Sequence, residues 1–147
     1  MKNIVTIKKK INNFNKKITV SSDKSLSIRC VLLSSIAIGK SRLSNILESE
    51  DILNTLKAIK KLGINYKKKK NFFEVEGFGF NGYNTKKKTT IYAGNSGTLA
   101  RLLCGLLVKA KNKIRLIGDE SLSKRDFSRL KFLKLFGVDI KTKNGFL

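Results

Sequence analysis

Two heptapeptides in this chain combine residues that can bind anions with the pattern of a helix start. Asp23–Arg29 (DKSLSIR) and Asn95–Arg101 (NSGTLAR) each follow a strand-like stretch, and each opens an apolar helical run. Free backbone N–H groups at a helix N-terminus attract anions, and a cation beside them strengthens the attraction. Two such segments in one chain indicate a small ligand with more than one anionic group.

Arginine is scarce in this chain, which makes its positions informative. There are 26 lysines but only 6 arginines, and Arg29, Arg101 and Arg125 all lie in motif-like segments. Arginine binds a carboxylate or phosphate through two parallel donors, which lysine cannot do. Lys24 is unusual because a lysine at a helix N-terminus opposes the helix dipole unless an anion lies between them. Ordinary surface positions for these residues are the alternative on composition alone.

The elements around the two heptapeptides repeat along the chain. Arg29 and Arg101 are 72 residues apart, and Gly63 and Gly137, which end the next helix of each copy, are 74 apart. Recurrence at a fixed spacing indicates a duplicated α/β unit. The predicted elements of the two copies are, in order, strands Lys17–Ser21 and Thr89–Ala93, helices Ser22–Ile38 and Asn95–Ala110, strands Ser41–Ile46 and Lys113–Ile117, and helices Asp51–Leu62 and Asp126–Phe136.

The first copy has a further strand, Phe72–Glu76, whose counterpart falls at the end of the chain. At the 74-residue offset, Phe72 and Phe73 correspond to Phe146 and Leu147. We therefore expect a partial domain, with unit one at about 16–80 and a truncated unit two at about 88–147. A shorter natural domain is the alternative, but a strand cut at its start would leave backbone groups and apolar side chains unpaired.

Apolar residues at helical spacing predict which helix faces are buried. The expected caps are Ser22 or Asp23 for the first helix, Ser49 for the second, and Asn95 or Ser96 for the third. The first helix is apolar nearly all round, so we expect it to be buried between layers. The predicted apolar faces are Leu26, Cys30, Leu33 and Ala37 in the first helix, Ile52, Leu56, Ile59 and Leu62 in the second, and Phe127, Leu130, Leu133 and Phe136 in the last.

Composition limits the class of protein. A hydrophobic fraction of 41% with clear periodicity indicates a folded globular chain. No apolar run approaches the roughly 20 residues that cross a bilayer, and the N-terminus lacks the apolar core of a secretory signal. Two cysteines and no histidine argue against a zinc site and against Ser-His-Asp or Cys-His catalysis. Cys30 and Cys104 are expected to be small buried hydrophobes in a reducing compartment, which favours a cytoplasmic protein.

The net charge of +22 allows an alternative from another class, a basic nucleic-acid-binding module. The lysine runs Lys8–Lys10, Lys67–Lys70 and Lys86–Lys88 fall in predicted turns or loops. They have no interleaved aromatic residues on which bases could stack. We interpret them as solvated lysines, and we expect no specific nucleic acid and no membrane as partner.

The motifs together resemble the EPSP synthase (5-enolpyruvylshikimate-3-phosphate synthase) family of enolpyruvyl transferases. Asp23–Arg29 is similar to the family's D-K-S-x-S-x-R, and Gly39–Ser41 to the G-[KT]-[ST] exit of the helix that follows. Ser49–Asp51 resembles S-x-D, Asn95–Arg101 resembles N-[AS]-G-T-x-x-R, and Gly118–Arg125 resembles G-D-x-S-L-x-x-R. The motifs occur in the family's order and cover nearly the whole chain after the first dozen residues or so.

The resemblance implies the enolpyruvyl transferase fold, an inside-out α/β barrel. That fold has two domains built from repeated βαβαββ units, with the active site in the cleft between them. This chain would supply one unit and most of a second from the N-terminal domain, the C-terminal domain would be absent, and the full-length protein would be a monomer. One departure is Asp126, which stands where the family usually has proline.

The implied reaction belongs to the shikimate pathway. It transfers the enolpyruvyl group of phosphoenolpyruvate to the 5-hydroxyl of shikimate 3-phosphate and releases phosphate, through a tetrahedral intermediate and with no cofactor or metal. Carried over by motif, Lys24 would be catalytic and would contact both substrates. Ser25 and Arg29 would bind shikimate 3-phosphate, while Gly97 and Arg125 would bind phosphoenolpyruvate.

The resemblance also implies supporting roles for Asn95, Thr98 and Arg101, with Arg101 bracing the glycine turn. The family's acidic catalytic groups belong to the other domain, so we expect no useful turnover from this chain alone. A transferase acting on UDP-N-acetylglucosamine shares the architecture but fits the two heptapeptides poorly. A remnant that folds without binding is a further alternative, against which the presence of Lys24 and Arg29 argues.

Overall fold

The computed structural model describes residues 6–8 and 13–142, which form four α-helices, five strands and one 3-10 helix. The first copy of the repeat contains α1 (Lys24–Ile36), β1 (Ile38–Ser44), α2 (Glu50–Lys61), β2 (Asn65–Lys68) and β3 (Phe72–Phe78). The second copy contains β4 (Thr89–Tyr92), α3 (Gly97–Leu106), β5 (Ile114–Ile117), α4 (Glu120–Ser123) and the 3-10 helix (Ser128–Phe136).

The first copy builds a three-stranded antiparallel sheet in the order β1-β3-β2. Val75 in the central strand pairs with Ser41 on one side and with Tyr66 on the other. Alternate residues of β3, Phe73, Val75 and Gly77, are buried, as expected for a sheet with one face on the core. A side chain at Gly77 would overlap backbone carbonyl oxygens near the end of α1, so this glycine lets helix and sheet approach closely.

The second copy pairs β4 and β5 in parallel, with α3 as the crossover between them. Two backbone hydrogen bonds extend this pairing into the loops: Ala93 N–H donates to Ile117 at 2.8 Å, and Asp119 N–H donates to Gly94 at 3.0 Å. The pairing therefore fixes the loop that precedes α3 beside the loop that follows β5.

One apolar core joins the two copies. Its fully buried residues include Ile28 of α1, Leu56 of α2, Val75 of β3, Ile91 of β4 and Leu103 of α3. The predicted face of α2 is confirmed, since Ile52, Leu56, Ile59 and Leu62 are all buried. The α/β class is confirmed, and none of the helices in the described ranges is long and apolar enough to cross a membrane.

The predicted strand Lys17–Ser21 is wrong. Residues 13–22 have no strand structure, and Ile18 and Val20 expose 71% and 76% of their surface. A strand forms only where a neighbouring strand takes up its backbone hydrogen bonds, and among the described residues β1 pairs with β3 and no strand pairs with residues 13–22. The counterparts Phe146 and Leu147 lie outside the described residues.

The predicted buried face of α1 is also wrong, because the opposite face of the helix packs on the core. Leu26, Cys30 and Leu33 are exposed, whereas Ile28, Val31 and Leu32 face the core together with Ser27, Ser34 and Ser35. Serine is compatible with burial here because its hydroxyl bonds to the helix backbone: that of Ser34 donates to the Cys30 carbonyl at 2.7 Å. These small side chains allow α1 to lie close to β3, so Cys30 is not a buried hydrophobe.

The last predicted helix forms a 3-10 helix in which no residue is fully buried. Phe127, just before it, is buried, and Leu130 and Leu133 are half-buried, but Phe136 is 75% exposed. An isolated helical pattern depends on tertiary packing for most of its stability, and no strand covers this segment among the residues that the structure describes. The sequence pattern also did not predict the short α4.

Candidate substrate site at the helix N-termini

The N-terminus of α1 is capped by its own chain. Asp23 accepts the Leu26 N–H at 2.6 Å, and its carbonyl accepts the Ser27 hydroxyl at 2.8 Å. The cap uses the third amide of the helix, which leaves the first two, those of Lys24 and Ser25, without an intrahelical acceptor. Arg29 lies one turn after Ser25 on the same face, and it is exposed. This end of α1 therefore presents amides, a hydroxyl and a guanidinium to one ligand.

Lys24 makes an ion pair with the first turn of another helix. Its Nζ lies 2.8 Å from Oδ2 of Asp51, the second residue of α2. The Lys24 side chain is 55% exposed, whereas only 13% of the Asp51 side chain is exposed. The contact shows that the N-termini of α1 and α2 are neighbours. The ammonium of Lys24 stays accessible to an incoming anion.

The N-terminus of α3 has the same design with a glycine in its first position. Ser96 caps the helix, because its hydroxyl oxygen accepts the Leu99 N–H at 3.1 Å. Gly97 is buried, and a Cβ there would lie 2.8 Å from Nη1 of Arg125 and 2.9 Å from Nη1 of Arg101. Two guanidinium groups therefore pack directly against the Gly97 backbone, and any larger residue at this position would require both groups to shift.

Each of these two arginines is held by a different neighbour. Arg125 donates from Nη2 to the side-chain oxygen of Asn95. Arg101 donates from Nη2 to the Asp126 carbonyl at 3.1 Å, and its guanidinium lies 5.1 Å from the centre of the Phe127 ring. The Arg101 bond joins α3 to the segment after α4, and the Arg125 bond joins that segment to the turn that precedes α3. They hold Arg125 beside Gly97.

Asp126 carries the one clear electrostatic shift near this site. The N–H and hydroxyl of Ser128 both donate to its carboxylate, at 2.7 and 2.8 Å. These bonds, with smaller help from Arg129 and Arg101, lower the pKa of Asp126 below its usual value. Asp126 thus accepts hydrogen bonds at two places. Its carbonyl accepts from Arg101, and its carboxylate accepts from Ser128 at the start of the 3-10 helix.

The first turns of α2 bring the two helix entrances together. Asp51 contacts Lys24 at the entrance to α1. One turn later, Asn54 packs against Gly94 in the loop before α3, where a Cβ would lie 2.5 Å from Nδ2 of Asn54. Gly94 has a left-handed backbone (φ 56°), which suits this close approach. The two predicted anion-binding segments therefore converge on the same end of α2.

All eight predicted site residues fall into these two clusters. Lys24, Ser25 and Arg29 lie on α1, and Asn95, Gly97, Thr98, Arg101 and Arg125 lie at or around the start of α3. The contacts of Asp51, Asn54 and Phe127 were not predicted from the sequence. Helix spacing could place Asp51 in a first turn, but no local pattern identifies its partner on another helix.

The arrangement suits a ligand with several anionic groups. Each entrance offers backbone N–H groups at the positive end of a helix dipole. Lys24 adds a point charge at α1, and Arg125 adds a planar fork beside the Gly97 backbone at α3. An anion at Gly97 could accept a backbone N–H and a guanidinium bond together, and this geometry fits phosphate or carboxylate.

Comparison with known proteins identifies the family. The family model of EPSP synthase (3-phosphoshikimate 1-carboxyvinyltransferase) matches residues 8–147. A 3-phosphoshikimate 1-carboxyvinyltransferase from Streptococcus pyogenes serotype M2 is 43% identical over 124 residues, which cover 84% of this chain and 29% of the relative. The protein from serotype M1 matches to the same extent.

Solved structures agree with this assignment. An EPSP synthase from Acinetobacter baumannii superposes with a TM-score of 0.80 at 38% identity and covers 90% of this chain. A second structure from the same organism gives 0.76 at 36% identity. The expected enolpyruvyl transferase fold is thereby confirmed. The chain spans about 30% of the length of the relatives it matches. With helix entrances, arginine pair and whole-chain match in agreement, the chain belongs to the EPSP synthase family.

Proposed function

We propose that this chain forms the N-terminal part of the substrate site of an enolpyruvyl transferase. The reaction transfers the enolpyruvyl group of phosphoenolpyruvate to the 5-hydroxyl of shikimate 3-phosphate and releases phosphate. The observation that carries the proposal is the convergence of the two basic helix entrances on α2, through Lys24–Asp51 and Asn54–Gly94. Both substrates are anionic, so each suits one of these entrances.

In this proposal the α1 entrance binds shikimate 3-phosphate. Ser25 and Arg29 lie one turn apart on the same helix face, close enough to contact one phosphate or ring hydroxyl group. Lys24 lies at the boundary between the substrates, where its ammonium contacts both and assists proton transfer. Its 55% exposed side chain leaves it accessible for this role.

The α3 entrance binds phosphoenolpyruvate in this proposal. Nη1 of Arg125 lies against Gly97, so one anion would contact both the Gly97 backbone and the Arg125 fork, and the bond to Asn95 orients the fork. Arg101 is a supporting residue, because its donors are directed to the Asp126 carbonyl and its face to Phe127. Thr98, half-buried in the first turn of α3, supports the same backbone.

An NMR titration of the 147-residue chain with shikimate 3-phosphate at physiological salt tests the α1 entrance. Amide shifts confined to Lys24–Arg29 and its neighbours should saturate with added ligand. The variant Lys24→Ala should weaken binding roughly tenfold to a hundredfold, because a hydrogen bond to a charged group contributes about 1.5–3 kcal/mol. Lys87→Ala removes an exposed loop lysine and is the matched control; it should bind like the parent chain.

Two results would contradict the proposal. Equal weakening by Lys24→Ala and Lys87→Ala, with a steep dependence on salt, would identify non-specific polyanion binding, as in a nucleic-acid-binding module. A dispersed spectrum without any saturable response would identify a folded remnant. We also expect no phosphate release above background when both substrates are added to this chain alone, since the acidic catalytic groups are expected in the other domain.

Substitution at Gly97 tests the second entrance. With shikimate 3-phosphate present, phosphoenolpyruvate should shift the amides of Gly97 and Thr98. Gly97→Ala should weaken that response, because both guanidinium groups would have to move away from a Cβ that would otherwise lie within 3 Å of each. Gly105→Ala, in the same helix with open space around its Cβ position, is the matched control and should leave the response unchanged. Equal loss in both variants would assign the effect to helix stability.

A further inference from the structure

Asp51 has a low exposure for a carboxylate and a partner from outside its helix. It lies in the first turn of α2, yet its Oδ2 contacts Lys24 of α1 at 2.8 Å. Favourable interaction with the helix dipole accounts for an acidic residue in a first turn. It does not account for the burial of that residue, because a carboxylate with 13% of its surface exposed has lost most of its water.

The neighbouring residue Glu50 separates the two effects. Glu50 is also in the first turn of α2, is acidic and is exposed. It interacts with the same dipole without the loss of water. What distinguishes Asp51 is therefore its contact with the Lys24 ammonium.

Lys24 needs such a partner because of its surroundings. Its ammonium lies at the positive end of α1, and Arg29 follows it on the same helix. Both features repel a cation, and the four-carbon stem of lysine allows many other positions in solvent. A carboxylate on the adjacent helix counters the repulsion and selects one position.

We propose that Asp51 is a positioning residue that holds the Lys24 ammonium at the substrate site before substrate binds. An ammonium has three N–H donors. One is directed to Asp51, and two remain for the oxygens of the substrates. Because the side chain is ordered in the free protein, its loss of rotamer freedom does not have to accompany binding. This inference rests on the proposed function, since it assigns Lys24 as the group that contacts substrate.

The first measurement needs no substrate. Side-chain relaxation by NMR gives the order of each lysine ε-methylene in the 147-residue chain. Lys24 should be clearly more ordered than the exposed Lys57 and Lys60 of α2. Asp51→Asn should reduce its order to theirs, Asp51→Glu should restore part of it, and Glu50→Gln, the matched control, should leave it unchanged.

The second measurement is a double-mutant cycle for binding of shikimate 3-phosphate. Asp51→Asn should weaken binding about twofold to fivefold in the parent chain, as for a partly exposed ion pair. The same change should have almost no effect in a Lys24→Ala background, because a positioning residue acts only through the group it holds. A role in helix stability alone would weaken binding equally in both backgrounds.

The two measurements distinguish failure of this inference from failure of the proposed function. Equal disorder of Lys24 with and without the Asp51 carboxylate, or equal effects of Glu50→Gln and Asp51→Asn, would overturn the positioning role whether or not substrate binds. An ordered Lys24 in a chain that does not respond to shikimate 3-phosphate would keep the contact, but would overturn both the proposed substrate and the role of Asp51 in binding it.

Discussion

The two copies of the repeat follow one sequence design but reach different degrees of packing. In the first copy, α2 packs against α1, β2 and β4 and buries its predicted apolar face. In the second copy, the corresponding segment Ser128–Phe136 is a 3-10 helix, and Leu135 and Phe136 are 84% and 75% exposed. The apolar pattern is similar in both, so the pattern alone does not decide whether the helix is buried.

The difference lies in what covers each helix. Helix α1 and strands β2 and β4 enclose α2, whereas the 3-10 helix of the second copy has α3 as its main neighbour and no strand over it within the described ranges. The proposed substrate-site residues lie at the starts of α1 and α3, with Arg125 just after α4. The start of α1 is held by the shared core and by its contact with α2, whereas the start of α3 is also held by Arg101, which bonds to the Asp126 carbonyl and packs on Phe127 just before the 3-10 helix.

The largest expected contrast is in core substitutions. Leu56→Ala in α2 should lower the free energy of unfolding by about 2–5 kcal/mol, because Leu56 is fully buried and its removal leaves a cavity. Leu135→Ala, the same change in the exposed 3-10 helix, should stay within about 0.5 kcal/mol. Urea denaturation followed by circular dichroism measures both. Ile59→Val, at a cost of about 0.5–1.5 kcal/mol, replaces Leu56→Ala if that variant does not fold. Similar losses for Leu56→Ala and Leu135→Ala would mean that the 3-10 helix belongs to the core.

The glycines that end the two helices give a smaller contrast. Gly63 and Gly137 both have left-handed backbones, with φ of 88° and 80°. Gly63→Ala should cost about 1–2 kcal/mol, since an L-residue is strained in that conformation and its Cβ would lie 3.2 Å from Asn84. Gly137→Ala should change the free energy of unfolding by less than about 0.5 kcal/mol, because local opening of the 3-10 helix relieves the strain. A cost at Gly137 equal to that at Gly63 would show that both ends are equally tied to the fold.

These positions also show what the sequence could predict. Helical periodicity and capping residues can be read from neighbouring residues. The buried face of α2, Asp23 as one of two expected caps, and the glycines that end the two helices were therefore predicted correctly. The partner of a residue is not a local property, and no sequence pattern indicated that Asp51 would contact Lys24 or that Lys17–Ser21 would lack a neighbouring strand. The burial of α1 failed for a third reason. Both of its faces are largely apolar, and the buried one was decided by serines small enough to pack against Gly77. Ser49, the expected cap of α2, makes no capping bond with its side chain.

The two cysteines lie on the corresponding helices α1 and α3 of the two copies and should differ in reactivity. Cys30 is exposed on α1, whereas burial raises the pKa of Cys104 to about 11. At pH 8 only about one in a thousand Cys104 side chains is the reactive thiolate. Cys104→Ser, which leaves Cys30, should therefore react with iodoacetamide at least about tenfold faster than Cys30→Ser, which leaves Cys104. Mass spectrometry gives both rates, and denaturant should make them similar. Equal rates in the folded protein would mean that α3 opens often enough to make Cys104 as accessible to the reagent as the exposed Cys30.

The smallest expected effect is the response of the 3-10 helix to acid. The hydrogen bonds from Ser128 lower the pKa of Asp126, so the folded state binds this proton less readily than the unfolded chain. Its stabilising contribution is therefore fully present above the usual aspartate pKa of 3.8, and it is lost as pH falls through the lower value in the folded protein. The Asp126 carboxyl signal in NMR should titrate below 3.8, and the Ser128 amide should shift with it. Asp126→Asn should remove the dependence at Ser128. Because the Asp126 carbonyl, and not its carboxylate, accepts the bond from Arg101, that variant should leave the Gly97 amide unchanged. A shift there would mean that the start of the 3-10 helix supports the α3 entrance, and that the two copies are less independent than their packing indicates.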